Sequence, residues 1–236
     1  PPAAARAVVE AALDRDPTRQ RLGLAESLAL LACYGVETLP QREASFVGDV
    51  VDVAGQIGYP VVLKAVGRGV LARDTSSGLA LDLDSAGAVA SALARMRTAV
   101  GSAAAVVVVQ KMGRSGVDAQ ILAASDTRVG PIVAVGRGGS GRSPRSELAV
   151  RLAPVGLADA VQLVDRSPLG HLVDAASAAA VARLAVAVGR LVADLPDVVE
   201  VRLDPLLVNA AHCDVTDVEI WVGPPAEPDM PPVRRL

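Results

Sequence analysis

The chain alternates between two hydrophobic rhythms, one with the period of a helix and one with the period of a strand. Residues 3–14 and 24–34 place apolar side chains three and four apart, which predicts two helices separated by the polar stretch Asp14-Arg15-Asp16-Pro17. Gly35 falls where the second helix should stop. A short extended piece, 36–39, follows, and then a third helix over 45–57, with Ser45 as its N-cap and Gly58 just past its end. From Tyr59 to Val66 the pattern is a β-branched run of strand length. A strand at 79–83, a helix at 85–99 and a fully apolar strand at 105–109 come next. Strands are predicted at 117–124, 131–135 and 147–152, the second leading into the glycine-rich segment 136–141. A long alanine-rich helix over 174–193 precedes two strands at 198–203 and 214–221, and the chain ends in a proline-rich tail. Helices and strands are mixed throughout, and successive strands without an intervening helix imply antiparallel pairing. The expected class is α/β in the α+β sense, with mixed sheets and flanking helices.

Composition narrows what such a fold can be doing. The 236 residues are 51% hydrophobic, with only one Trp, two Tyr and one Phe, so the core is built from alanine, valine and leucine. A formal net charge of −3 gives no electrostatic footprint for nucleic acid or an anionic membrane surface. No uninterrupted apolar run approaches the ~20 residues that span a bilayer, and Pro1-Pro2-Ala3 does not begin a signal peptide. Cys33 and Cys213 form no disulfide or metal-ligand pattern, as expected of ordinary thiols in a cytoplasmic protein.

Of 23 basic residues only Lys64 and Lys111 are lysines. Lys64 closes an apolar strand, where an ammonium must reach water or an anion such as a phosphate; the alternative is a lysine snorkelling at a strand end. Gly67, Gly69 and the Ser76-Ser77-Gly78 turn follow it, and side-chain-poor loops let backbone amides approach phosphates, although hairpin turns have the same composition. The strand that ends at Gln110-Lys111-Met112 can offer amide groups and an apolar wall to a purine, or can simply emerge from the core into a linker. Asp118 can hold ribose hydroxyls or be an exposed strand aspartate. Asp204 and Asp217 lie on two neighbouring strands, where facing carboxylates are relieved by a cation, and Glu147 can add a third. Few oxygen ligands completed by phosphates describe a magnesium–nucleotide site.

Taken in order, these segments resemble the ATP-grasp domain of NDP-forming acyl-CoA synthetases, a group that includes ADP-forming acetate–CoA ligases, and the matching domain of Pat-like protein acyltransferases. The likeness runs from about Leu24 to Val222. Tyr34-Gly35-Val36 is similar to the family's "YGI" turn, and residues 58–64 to its "GYPVVLK". Gly130-Pro131 with 136–139 resembles "FGP…GLGG", and 151–154 resembles "RLAP". Residues 200–206 match "ELDINPL", with Asp217 in the place of the "LDA" aspartate. The resemblance implies an ATP-grasp fold with a smaller lobe over about 40–112 and a larger one over about 113–222, within a domain spanning 21–222. A linker helix (1–20) and the tail (223–236) would flank it. It implies ATP and Mg2+ as ligands, with Lys64 on the phosphates and Asp204 and Asp217 on the metal. It also implies CoA-binding and ligase domains, in the same or a partner chain. The family's "HKSDVGGV" carries a phosphoryl-relay histidine, and Ala72 stands at that position. Ser143 and Glu147 stand where the family has a glutamate and an aspartate, and Asp204 replaces its metal-binding asparagine. These departures imply impaired ligase chemistry with nucleotide binding retained, or, as the alternative, a non-catalytic regulatory or scaffold module.

Overall fold

The structure is a computed structural model that describes residues 2–66, 78–101, 106–139, 147–209 and 212–225. The elements in order are α1 (Ala3–Arg15), β1 (Gln20–Arg21), α2 (Leu24–Ala32), β2 (Gln41–Ala44), α3 (Val47–Ile57), β3 (Val61–Val66), β4 (Leu79–Leu83), α4 (Ala86–Val100) and β5 (Val106–Lys111). After them come β6 (Val117–Asp126), β7 (Gly130–Arg137), β8 (Ala149–Leu152), α5 (Leu157–Asp165), α6 (Ala175–Asp194), β9 (Val198–Asn209), β10 (His212–Val215) and β11 (Val218–Val222). They form two compact units, Leu39–Arg114 and the remainder of the chain.

The smaller unit is a four-stranded antiparallel sheet in the order β2-β5-β3-β4. One face packs Val61, Leu63, Ala65, Val107 and Val109 against Val50, Val53 and Ala54 of α3 and Val89, Leu93 and Met96 of α4. Alternation sends Val62, Lys64 and Val66 to the other face. Ser85 caps α4 by accepting the Ala88 amide at 3.3 Å. Ser45 does not cap α3: that helix begins one residue later than expected, Phe46 is its N-cap, and the Ser45 carbonyl accepts from Arg97 instead. The expected extended piece at 36–39 is likewise displaced, because it is 41–44 that finds hydrogen-bond partners, on β5.

The larger unit holds a seven-stranded antiparallel sheet, β1-β11-β9-β6-β7-β8 with β10 added to β9. Its core face sets Ile121, Ala123, Val133, Val135, Val201, Leu203 and Ile220 against the stripe Val181, Ala182, Ala185, Val188 and Val192 of α6. α6 has twenty residues of mean hydropathy 1.6, enough by length and composition to cross a membrane, although Arg183, Arg190 and Asp194 interrupt it. More than half of it is buried inside the fold, which is the ordinary position of a core helix. Asp174 caps it through the Ser177 amide at 2.8 Å. α2 ends on Gly35, with φ +71°, where the amides of Val36 and Gly35 return to the carbonyls of Leu31 and Ala32. That bond pair is the Schellman stop that glycine permits. The N-terminal helix is more than a linker, since Ala5, Val9 and Ala12 are buried in this core. α5 was not expected; Ala160, Leu163 and Val164 bury its inner face. The two strands expected at 198–203 and 214–221 are three, because β9 continues to Asn209 before turning into β10.

Candidate functional site

The candidate residues fall into two groups, each with its own scaffold. In the smaller unit, Lys64 lies opposite Val108, and Val62 lies opposite Gln110. Lys64, Val62, Val108 and Gln110 therefore share the face turned away from α3 and α4. Lys64 is half-buried, while Gln110 is 1% exposed and donates its amide to Gln41 Oε1 at 3.1 Å. A buried carboxamide needs such a partner, and Gln41 stands directly across the β2–β5 pair.

Lys111 pairs with Val61 and so belongs to the opposite, helix-covered side. Its Nζ donates to the carbonyls of Gly58 and Tyr59 at 2.9 and 2.8 Å. The Met112 amide donates to the Pro60 carbonyl at 3.1 Å, and the Lys111 amide to the Pro40 carbonyl at 2.8 Å. This end of β5 is thus tied to the turn that leads into β3, a turn made by Gly58 at φ +86° and the cis Tyr59–Pro60 bond. The chain's two lysines face opposite ways: Lys111 satisfies backbone carbonyls, and Lys64 occupies the face without helices.

In the larger unit, the side of the sheet opposite α6 carries Asp118 and Gln120 of β6 and Glu200, Arg202 and Asp204 of β9. Asp204 lies at an irregularity: Ile121 pairs with Leu203 and Ala119 with Leu206, so two residues, Asp204 and Pro205, stand opposite the single Gln120, a bulge of one extra residue. The Asp204 carboxylate is 1% exposed and accepts the Gly139 amide at 2.9 Å. The Gly138 amide meets the Asp118 carbonyl at 3.0 Å, and the Gln120 side chain donates to the Arg137 carbonyl. The glycines are required here. A Cβ on Gly138 would lie 2.1 Å from the Ala119 oxygen, and one on Gly139, at φ +58°, 2.3 Å from Asp118 Oδ2.

Burial, and then the nearby Asp204 charge, push the Asp118 carboxyl above the ordinary carboxylate range, with Arg137 partly offsetting them. Asp217 adjoins the pair: its carbonyl accepts the Asp204 amide at 3.4 Å, and its carboxylate accepts the Val218 amide at 3.0 Å. Glu147 is exposed just before β8. Among the described residues no three His, Cys, Asp or Glu side chains gather as a metal-ion cage. What the fold does bring together is Asp118, Asp204, the backbone of Asp217 and the Gly138-Gly139 amides. Further along β9, Arg202 meets Glu200 at 2.7 Å, and Arg19 lies 5.4 Å over the Trp221 ring. The positions of Ala72 and Ser143, and the loops at 67–77 and 140–146, lie outside the described residues.

Gln41, Gln120 and Gly139 were not singled out from the sequence. Gly139 belonged to a segment already marked as glycine-rich, but the glutamines carry no local signal; only strand register places them.

Comparison with known proteins gives a consistent result. The ATP-grasp domain family model matches residues 12–222. The chain is 29% identical over 209 residues to an ADP-forming acetate–CoA ligase I of Archaeoglobus fulgidus, covering 84% of this chain and 30% of that protein. It is 24% identical over 195 residues to the beta subunit of the ADP-forming acetate–CoA ligase I of Pyrococcus furiosus, covering 77% of this chain and 83% of the subunit. It thus spans about a third of the length of the single-chain ligase and most of the separate subunit. Among solved structures, a dinucleotide-forming acetyl-coenzyme A synthetase 1 of Ca. Korarchaeum cryptofilum, in complex with coenzyme A and Ca-AMPCP, superposes with a TM-score of 0.81. The match has 22% identity and covers 92% of this chain and 99% of that one.

Proposed function

The chain belongs to the ATP-grasp domain family and is related to the NDP-forming acyl-CoA synthetases; from that premise we propose that it is the Mg-ATP-binding domain of such a synthetase. Lys64 holds nucleotide phosphates, the strand end Gln110-Lys111-Met112 borders the base, and Asp118 takes the ribose hydroxyls. In this arrangement Lys111 contributes by holding the strand end in place. Asp204 and Asp217, with Glu147 assisting, hold Mg2+, and phosphate oxygens complete its shell.

The observation that carries this reading is the carboxylate pair. A nearly fully buried Asp204 beside an Asp118 whose carboxyl is already pushed upward is a place where added positive charge is stabilising. When bound, the metal ion offsets negative charge on the phosphates. The chain's own groups do the rest: Lys64 supplies a fixed cation, and the Gly139 amide orients Asp204. CoA-binding and ligase domains, in the same or a partner chain, complete the synthetase. Because Ala72 occupies the relay-histidine position, phosphoryl relay requires a histidine from another segment. The same substitution favours the second reading, a non-catalytic regulatory or scaffold module with this fold.

Isothermal titration of ATP, with and without Mg2+, tests the proposal on the wild type and on the Lys64→Ala/Asp217→Asn double variant. Magnesium-dependent binding that disappears in the double variant is expected. Absence of binding to the wild type at millimolar ATP would overturn the nucleotide reading and leave the scaffold one.

A further inference from the structure

The face of the smaller sheet that bears Lys64 holds one unspent hydrogen-bond donor. Gln41 Nε2 is buried and meets no acceptor among the described residues, although its own Oε1 receives the Gln110 amide. A buried amide N–H without a partner is costly and uncommon in a folded protein. The fold does not remove it by burying an apolar side chain there instead. Gln41 and Gln110 face each other across β2 and β5, Gln110 faces Val62 across β5 and β3, and Lys64 is two residues beyond Val62. One strand spacing and two residues of rise put Lys64 about 8 Å from Gln110 between Cα atoms, on one face. That separation suits a ligand with an anionic group at one end and a hydrogen-bond acceptor on a planar ring at the other.

We propose that Gln41 is a base-reading residue: its Nε2 donates to a ring nitrogen or carbonyl of a purine whose phosphates lie toward Lys64, with Gln110 holding the Gln41 amide in orientation. The proposal rests on the nucleotide-binding reading above and adds a residue and a specificity element to it. Gln41 lies on the edge strand β2 and is only partly buried, so an acceptor reaches Nε2 with a small side-chain adjustment. The bound base then satisfies a donor that the free protein leaves unsatisfied, so the contact strengthens binding without a matching loss elsewhere.

The test compares ATP with inorganic tripolyphosphate, which has the phosphates and no base. Both are titrated with Mg2+ into the full chain as wild type, Gln41→Leu, Gln110→Leu and the double variant, with melting temperature measured in parallel. Gln41→Leu is expected to weaken ATP about five- to tenfold, the scale of one neutral hydrogen bond. It should leave tripolyphosphate unchanged, with a small fall in melting temperature, because the buried Gln110 amide loses its Gln41 Oε1 acceptor as the orphan Nε2 goes. Its effect on ATP should shrink in the Gln110→Leu background, where the Gln41 amide is no longer held in orientation. Equal loss for both ligands, no loss for either, or a loss from Gln41→Leu as large in the Gln110→Leu background as in the wild type would overturn the proposal. Wild-type protein that binds tripolyphosphate as tightly as ATP would do the same while sparing the phosphate site. Wild-type protein that binds neither ligand would overturn the nucleotide reading itself, and this inference with it.

Discussion

The two sheets solve one problem in opposite ways. Each is covered by helices on one face and carries polar side chains on the other. In the larger unit those polar groups are mostly charged and largely satisfied by the chain: Asp204 by the Gly139 amide, the neutral Gln120 by the Arg137 carbonyl, Glu200 by Arg202. In the smaller unit the set is a lysine and two carboxamides, and among the described residues one buried donor, Gln41 Nε2, meets no acceptor. The first arrangement is preorganised, its geometry defined before any ligand arrives. The second keeps hydrogen-bonding capacity in reserve.

The comparison can be tested from its strongest point downward. The largest effect is expected at Gly138→Ala, because the new Cβ would meet the Ala119 carbonyl at 2.1 Å and backbone must move. Urea unfolding should show a loss of about 3 kcal/mol or more. If that variant is as stable as wild type, the backbone at Gly138 is not held against Ala119 as closely as the structure has it.

Lys111→Met comes second. It strands the Gly58 and Tyr59 carbonyls, for a loss of about 2 kcal/mol, partly recovered by Lys111→Arg. Lys64→Met, on the other face, should cost under about 1 kcal/mol of stability while abolishing ATP binding. Equal destabilisation by the two lysine variants would erase the distinction between them.

Asp118 gives a smaller effect with a definite sign. Its folded carboxyl titrates above the unfolded value, near 3.8, so its favourable contribution is complete below that pH and is lost as pH rises through the raised value. Asp118→Asn should therefore be more stable than wild type at neutral pH, and the difference should vanish in acid. Chemical denaturation at several pH values measures this, and a variant less stable at pH 7 would contradict the charge crowding around Asp204. The smallest effect belongs to Arg202→Gln. Its pair with Glu200 is partly exposed, and about 0–1 kcal/mol is expected, reduced further by salt.

Much of this was legible from local sequence. Gly35 stops its helix as its position predicts, and the helices expected from 85 and 174 do begin there, capped by Ser85 and Asp174. Ser45 shows the limit of that logic, since Arg97, fifty-two positions away, takes its carbonyl and the helix starts later. Alternation in Val61–Val66 placed Lys64 on one side of a strand, but it could not tell which side α3 and α4 would cover. Lys111 was a candidate as part of the strand end Gln110-Lys111-Met112; register puts it opposite Val61 with its Nζ on the Gly58 carbonyl.

The sequence alone determined most element types, the antiparallel α+β class and the family motifs, because these depend on side-chain period and on spacing along the chain; α5 and the split of the last strands escaped it. Tertiary structure alone decided which residues meet. Asp118 and Asp204 are eighty-six positions apart, and Gln41 and Gln110 sixty-nine; strand pairing and one bulge bring each pair together. Register shifted by one residue would turn every one of these side chains to the opposite face, and no local pattern encodes that choice.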